Sequence, residues 1–158
     1  MSSKAAGDTR WGAIALGWAI AVVAGVVISP TARLLYGLFA GPTVERGELT
    51  AALVVVSLVS GFLAYLIGGY VAARVAGRAG GKHGALTSFF GLAFGIVLAV
   101  LFTLLGVIFA EGVALPPAAF GLANAALLAG LILFLVNMFG GYVGGKLGDP
   151  PEPETERE

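Results

Sequence analysis

Few residues in this chain are able to do chemistry. It has one histidine, His83, no cysteine, and nine acidic residues among 158. A lone histidine without cysteines makes no metal-ligand set, and the lack of thiols removes disulfide and thiolate chemistry. No HExxH pair, carboxylate pair or phosphate-binding loop occurs, and Ser57 and Ser60 sit in an apolar run far along the chain from His83. No catalytic, cofactor-binding or metal-binding residue is therefore expected, and enzymatic activity is not. His83, beside Lys82, is expected to be solvated. What remains is a set of aromatic and cationic residues at helical spacing. Tyr70 precedes Arg74 by four positions, and Tyr142 precedes Lys146 by four. A tyrosine one turn before a cation is the pattern of a helix end at a membrane interface, where the ring sits at headgroup level and the cation snorkels. Arg74, Arg78 and Lys82 follow at intervals of four, with Gly80-Gly81 expected to end the helix before the third. Each cation beside an anionic leaflet contributes roughly 1 kcal/mol. Tyr70, Arg74, Arg78, Lys82, Tyr142 and Lys146 are accordingly the candidate contacts for an anionic lipid headgroup.

The elements that position these residues follow from composition. The chain is 58% hydrophobic and 11% charged, with 25 glycines and a mean hydropathy of +0.96. Soluble domains carry about 25% charged residues, so this is the composition of an integral membrane protein. Formal net charge is zero, which gives no overall basic field for nucleic acid. Charge-free windows run over 11–32, 49–73, 84–110 and 112–145. A helix needs about 20 apolar residues to cross a hydrocarbon core of ~30 Å, and Pro116-Pro117 excludes the start of the last window from a regular helix. Spans are expected near 11–29, 49–73, 85–110 and 120–146, forming one domain over 11–148. A tail, 1–10, precedes it, and an acidic, proline-rich tail, 149–158, follows and is expected to be disordered. The first apolar run is longer than the roughly 7 to 15 residues of a signal-peptide core and lacks an A-x-A site, so it is expected to stay in the protein. The segment 30–44 is open between an interfacial turn, a kinked helix extension and a re-entrant loop.

Lys4, Arg10, Arg74, Arg78, Lys82 and Lys146 lie at one set of span ends, and only Arg33 and Arg46 at the other. Basic residues gather in cytoplasmic loops. Both termini and the central loop are thus expected in the cytoplasm, the chain being a multi-pass protein of the inner (plasma) membrane.

Residues 62–75 align with 134–147 at a constant offset of 72, including Gly-Gly-Tyr-Val at 68–71 and 140–143, and Trp18 falls opposite Phe90. The fold expected is an all-α, four-transmembrane-helix bundle of two parallel helical-hairpin repeats related by a pseudo-two-fold along the membrane normal. Small residues recur every fourth position at Gly69, Ala73 and Gly77, at Gly140, Gly144 and Gly148, at Gly17, Ala21 and Gly25, and at Gly91, Gly95 and Ala99. Such stripes let helix backbones touch in lipid, where no hydrophobic drive between helices remains. Tyr65 and Asn137 occupy equivalent repeat positions, and an interhelical hydrogen bond between them is expected, a polar gate or solute contact being the other reading.

The run 67–86, with Gly68-Gly69-Tyr70-Val71-Ala72-Ala73-Arg74, the glycine-rich turn and His83-Gly84, resembles the central segment of small, uncharacterised four-helix bacterial membrane proteins. The resemblance covers about a quarter of the chain and implies topology, with no cofactor or activity attached. A structural, assembly or lipid-interacting role is the leading expectation, with membrane lipids, a second copy or another membrane protein as partners. The alternative is a small channel or transporter. Proton coupling would require an ionisable group inside a span, and Glu111 comes only at the end of the third.

Overall fold

The computed structural model describes residues 9–40, 51–109 and 123–150, and these are helical apart from short turns. Four helices follow in order: α1 (Trp11–Ala40), α2 (Ala51–Ala76), α3 (Gly80–Phe109) and α4 (Ala123–Gly148). Each contains a window long and apolar enough to cross a membrane, the makings of a multi-pass membrane protein. The tails before residue 9 and after 150, and the segments 41–50 and 110–122, lie outside the described residues.

Two boundaries differ from expectation. Helix α1 continues past Pro30 to Ala40, which makes 31–40 a helical extension; 41–44 fall outside the described residues. Proline removes one backbone donor from the helix ladder, and the next residue, Thr31, turns its hydroxyl back to donate to Val27 O at 2.7 Å. Gly80-Gly81 do not end α2. Gly77 ends it, with a left-handed φ of 70°, and Ala79 follows at φ 48°. Two left-handed residues so close together reverse the chain within three positions. Helix α3 therefore opens at Gly80, and Lys82 and His83 belong to its first turn.

Helix α2 packs on α1 and α4, α3 packs on α4 and less on α1 and α2, and α1 and α4 do not meet among the described residues. The contacts are close because the side chains are small. Gly17 of α1 sits on the backbone of Gly68 and on Ala72, and Gly25 faces Ala64. Along α4, Gly140, Gly144 and Gly148 lie on the backbone of Phe62, Leu66 and Tyr70 of α2, and Gly69 lies on Gly141. Gly80 and Gly84 of α3 rest on Gly145 and Gly141. Ala73, fully buried, fills the space beside Gly80 and Gly148. Gly77 and Gly95, expected within the stripes, have nothing within 4 Å of where a Cβ would stand. Gly77 serves the turn instead, and Gly95 points away from every neighbour described. Gly91 faces the side chains of Trp18 and Tyr65.

The two hairpins differ at the glycine contact between α1 and α2. Gly69 and Gly141, equivalent at the offset of 72, do meet. Gly17 pairs with Gly68, however, whereas their counterparts Phe89 and Gly140 face Phe134 and Phe62 respectively.

Among the described residues, the closest packing gathers at one end of the bundle. Arg10, at the start of α1, meets the end of α2, and Gly80, at the start of α3, meets Asp149, so the start of α1, the end of α4 and the α2–α3 turn share that end. Toward the other end the helices part. Residues 92–97 of α3 and 128–133 of α4 are exposed at every consecutive position, which covers all faces of a helix with 3.6 residues per turn.

Candidate functional site

A cavity of about 190 Å³ opens where the helices begin to separate. Helix α2 contributes Tyr65, α3 contributes Ser88, Gly91 and Leu92, and α4 contributes Gly130, Leu133, Phe134 and Asn137. Tyr65 and Asn137 each lie eleven residues before the last residue of their helices. At 1.5 Å per residue that is about 16 Å from the packed end, near the middle of a bilayer core.

The polar groups here are under-satisfied. Ser88 is 2% exposed and its Oγ has no hydrogen-bond partner; Asn137 Oδ1 is buried and likewise has none. Buried polar atoms are nearly always paired in folded proteins, so orphans clustered around a cavity call for an explanation. The expected hydrogen bond from Tyr65 to Asn137 is not made. The Asn137 amide oxygen turns into the space left by Gly61, while the Tyr65 hydroxyl occupies the space left by Gly91, 2.5 Å from an imagined Cβ there. Tyr65 is thereby drawn toward α3 and Trp18, whose indole packs on Phe90 and Phe94. Ser60, 1% exposed, has a second unpartnered hydroxyl.

Toward the packed end the cavity is sealed by Gly84 on Gly141 and Gly80 on Gly145. Sideways it is open: Leu92, Gly130 and Leu133 are exposed. No charged side chain lines it. Phe134, on its wall, meets Phe89 edge-on with centroids 5.1 Å apart.

A second cluster ties the packed end together. His83, expected in solvent, is 1% exposed. Its Nε2 accepts the Arg10 backbone N–H at 3.1 Å and its Nδ1 lies 3.1 Å from Ala79 O. A carbonyl can only accept and an amide N–H can only donate, so the proton is assigned to Nδ1. The early start of α3 accounts for the burial, since it turns His83 inward over the entry to α1. Lys82 Nζ donates to Thr9 Oγ1 at 2.9 Å and Arg10 Nη1 to Val75 O at 3.4 Å. Asp149 Oδ1 accepts from Gly80 N–H at 2.7 Å. The residues just before α3 offer no capping side chain, and the carboxylate after α4 takes that role at the positive end of the helix dipole.

The two tyrosine–cation pairs stay apart. Arg74 folds back on Tyr70, donating from Nε to the phenol oxygen at 3.1 Å with its guanidinium 5.3 Å from the ring centroid. Tyr142 and Lys146 lie against Gly81 of α3, about half a turn around α4 from Gly144, which faces α2. Arg78 is exposed near the turn. Tyr70, Arg74, Arg78, Lys82, Tyr142 and Lys146 thus share one end of the molecule without converging on one point.

Sequence reasoning missed Ser88, Thr9 and Asp149. Ser88 continues the fourfold spacing of Gly80 and Gly84, a signal for a packing face that carries a hydroxyl. Among the described residues no group of three or more His, Cys, Asp or Glu could hold a metal ion. Comparison with family models, curated proteins and solved structures finds no match to this chain.

Proposed function

We propose that this chain is an inner-membrane protein with both termini in the cytoplasm that works without catalysis, as a lipid-interacting or assembly component. The carrying observation is the asymmetry of the bundle. One end is closed by backbone contacts, and beyond it α3 and α4 expose Leu92, Ile96, Val97, Leu128, Leu131 and Ile132 on every side. Apolar surface of that extent is offered to lipid, to a second copy or to another membrane protein. Arg74, Arg78 and Lys146 ring the closed end, where the excess of Lys and Arg over the opposite loops favours the cytoplasm and anionic headgroups. They act as separate interfacial anchors, each tyrosine fixing depth beside its cation. Glycine contacts hold the helices together, and the match at an offset of 72 reflects duplication of a hairpin whose copies have since packed on different faces.

A small channel or transporter, not proton-coupled, is the second reading, favoured by the polar cavity at mid-depth. Flux assays in proteoliposomes with a panel of ions and small neutral solutes separate the two. The lipid-interacting reading expects no flux above protein-free vesicles; flux of any solute that Gly130→Leu slows would replace it with the transporter reading.

A further inference from the structure

We propose that His83 is a proton-operated latch: uptake of a proton at Nε2 releases the start of α1 from the first turn of α3. The latch is independent of the function proposed above and would act in a lipid-interacting protein and in a transporter alike.

Arg10 is the residue on which α1 starts. Its carbonyl accepts from the amides of Ala13 and Ile14, and its own N–H donates to His83 Nε2 at 3.1 Å. The other ring nitrogen, Nδ1, is committed to Ala79 O. A neutral imidazole has one donor and one acceptor and so satisfies both neighbours. The imidazolium satisfies only one, because a protonated Nε2 points an N–H at the Arg10 N–H and neither can accept. The ring is 1% exposed, so water can take over as partner to Nε2 only after Arg10 has moved away. Charge adds to the mismatch. Arg10 on α1, Arg74 on α2, Arg78 at the turn, Lys82 on α3 and Lys146 on α4 are the cations of this end, and Asp149, the sole carboxylate among the described residues, is engaged by Gly80 N–H. The released form therefore holds one proton more than the latched form, and by linkage the latch loosens as pH falls. The two other ties on residues 9 and 10, Lys82 Nζ to Thr9 Oγ1 and Arg10 Nη1 to Val75 O, are exposed, which leaves the buried contact at His83 to decide whether this segment stays. Fraying stops at Ile14, whose side chain is wholly buried.

The chain has a single histidine, so 15N-histidine NMR of the full chain in nanodiscs reads this ring without background. At pH 8 one protonated and one bare nitrogen are expected, and at pH 5, across the range in which histidine changes charge, both should be protonated. Hydrogen exchange is followed on the same samples and corrected for the pH dependence of the exchange chemistry. Protection at Arg10, Ala13 and Ile14 should fall at least tenfold between pH 8 and 5, in step with the ring signal, while residues 137–146 of α4 change less than twofold. His83→Gln, whose amide oxygen can accept the Arg10 N–H at either pH, should abolish the fall. Asp149→Asn should leave it in place. A ring still neutral at pH 5, or protonated with protection at Arg10 retained, would overturn the proposal in the wild-type chain alone, whatever the variants do. A fall that persists in His83→Gln, disappears in Asp149→Asn or extends equally to α4 would overturn it too.

Discussion

At His83 two neighbours fix which ring nitrogen carries the proton, and through that ring the start of α1 is held to the first turn of α3. Nε2 takes the Arg10 amide and Nδ1 serves Ala79 O. Replacing His83 with alanine removes both hydrogen bonds, leaves the part-buried Arg10 amide without this partner and opens a ring-sized void. A loss of about 2 to 3 kcal/mol is expected, measured as a lower unfolding midpoint in mild detergent. Hydrogen exchange at the Arg10 amide should quicken more than exchange in the middle of α4; equal change at both sites would show that His83 supports the bundle only in general. This residue was not legible in the sequence. Next to Lys82 and two residues past Gly80-Gly81, it reads as part of a charged, glycine-rich loop. Its burial depends on where α3 begins, which the left-handed pair Gly77 and Ala79 decides, and residue type alone does not set φ at Ala79. Tyr65 and Asn137 were legible as the polar members of their spans, but their partners were not, because Gly61 and Gly91 offer each a separate space to turn into.

Helix faces show the same division between what spacing states and what it leaves open. Gly140, Gly144 and Gly148 follow the same fourfold rhythm as Gly91, Gly95 and Ala99, yet the first set lies on the backbone of α2 while Gly95 faces open space. Spacing says that a helix can be approached closely along one face; it does not say which neighbour arrives or how far along. In lipid no hydrophobic pattern marks the inward face, since tails and leucines are equally apolar. The contrast yields a paired test. Leucine at Gly144 would drive into the backbone of Leu66 and must force α2 and α4 apart, costing about 2 kcal/mol or more. Leucine at Gly95 should change the unfolding midpoint little. If both variants unfold alike, the close approach of α2 and α4 is not what holds the bundle.

For the whole molecule, the number and rough extent of the spans were legible because charge-free windows of about 20 residues have one physical use. The asymmetry was not, because nothing in composition distinguishes the packed first turns of α3 from residues 92–97, which are exposed at every position. Orientation belongs to this scale. The start of α1, the end of α4 and the α2–α3 turn are tied together by Arg10 on His83 and Gly80 on Asp149, so a single fact about any of them orients the rest. That end holds Arg10, Arg74, Arg78, Lys82 and Lys146, and positive charge is retained on the cytoplasmic side. Since the chain has no cysteine, single cysteines can be read without background. Cysteines replacing Ser2 and Thr155 in the tails, and Thr43 and Ala114 in the two connections on the opposite side, should divide cleanly with an impermeant thiol reagent. In intact cells only Thr43→Cys and Ala114→Cys should react, and all four should react once the membrane is opened. Labelling of Ser2→Cys and Thr155→Cys from outside would invert the molecule, moving the anchoring cations and the sealed end away from the cytoplasm. Labelling of only one tail would separate ends that the contacts at His83 and Asp149 hold together, and so would count against the bundle itself.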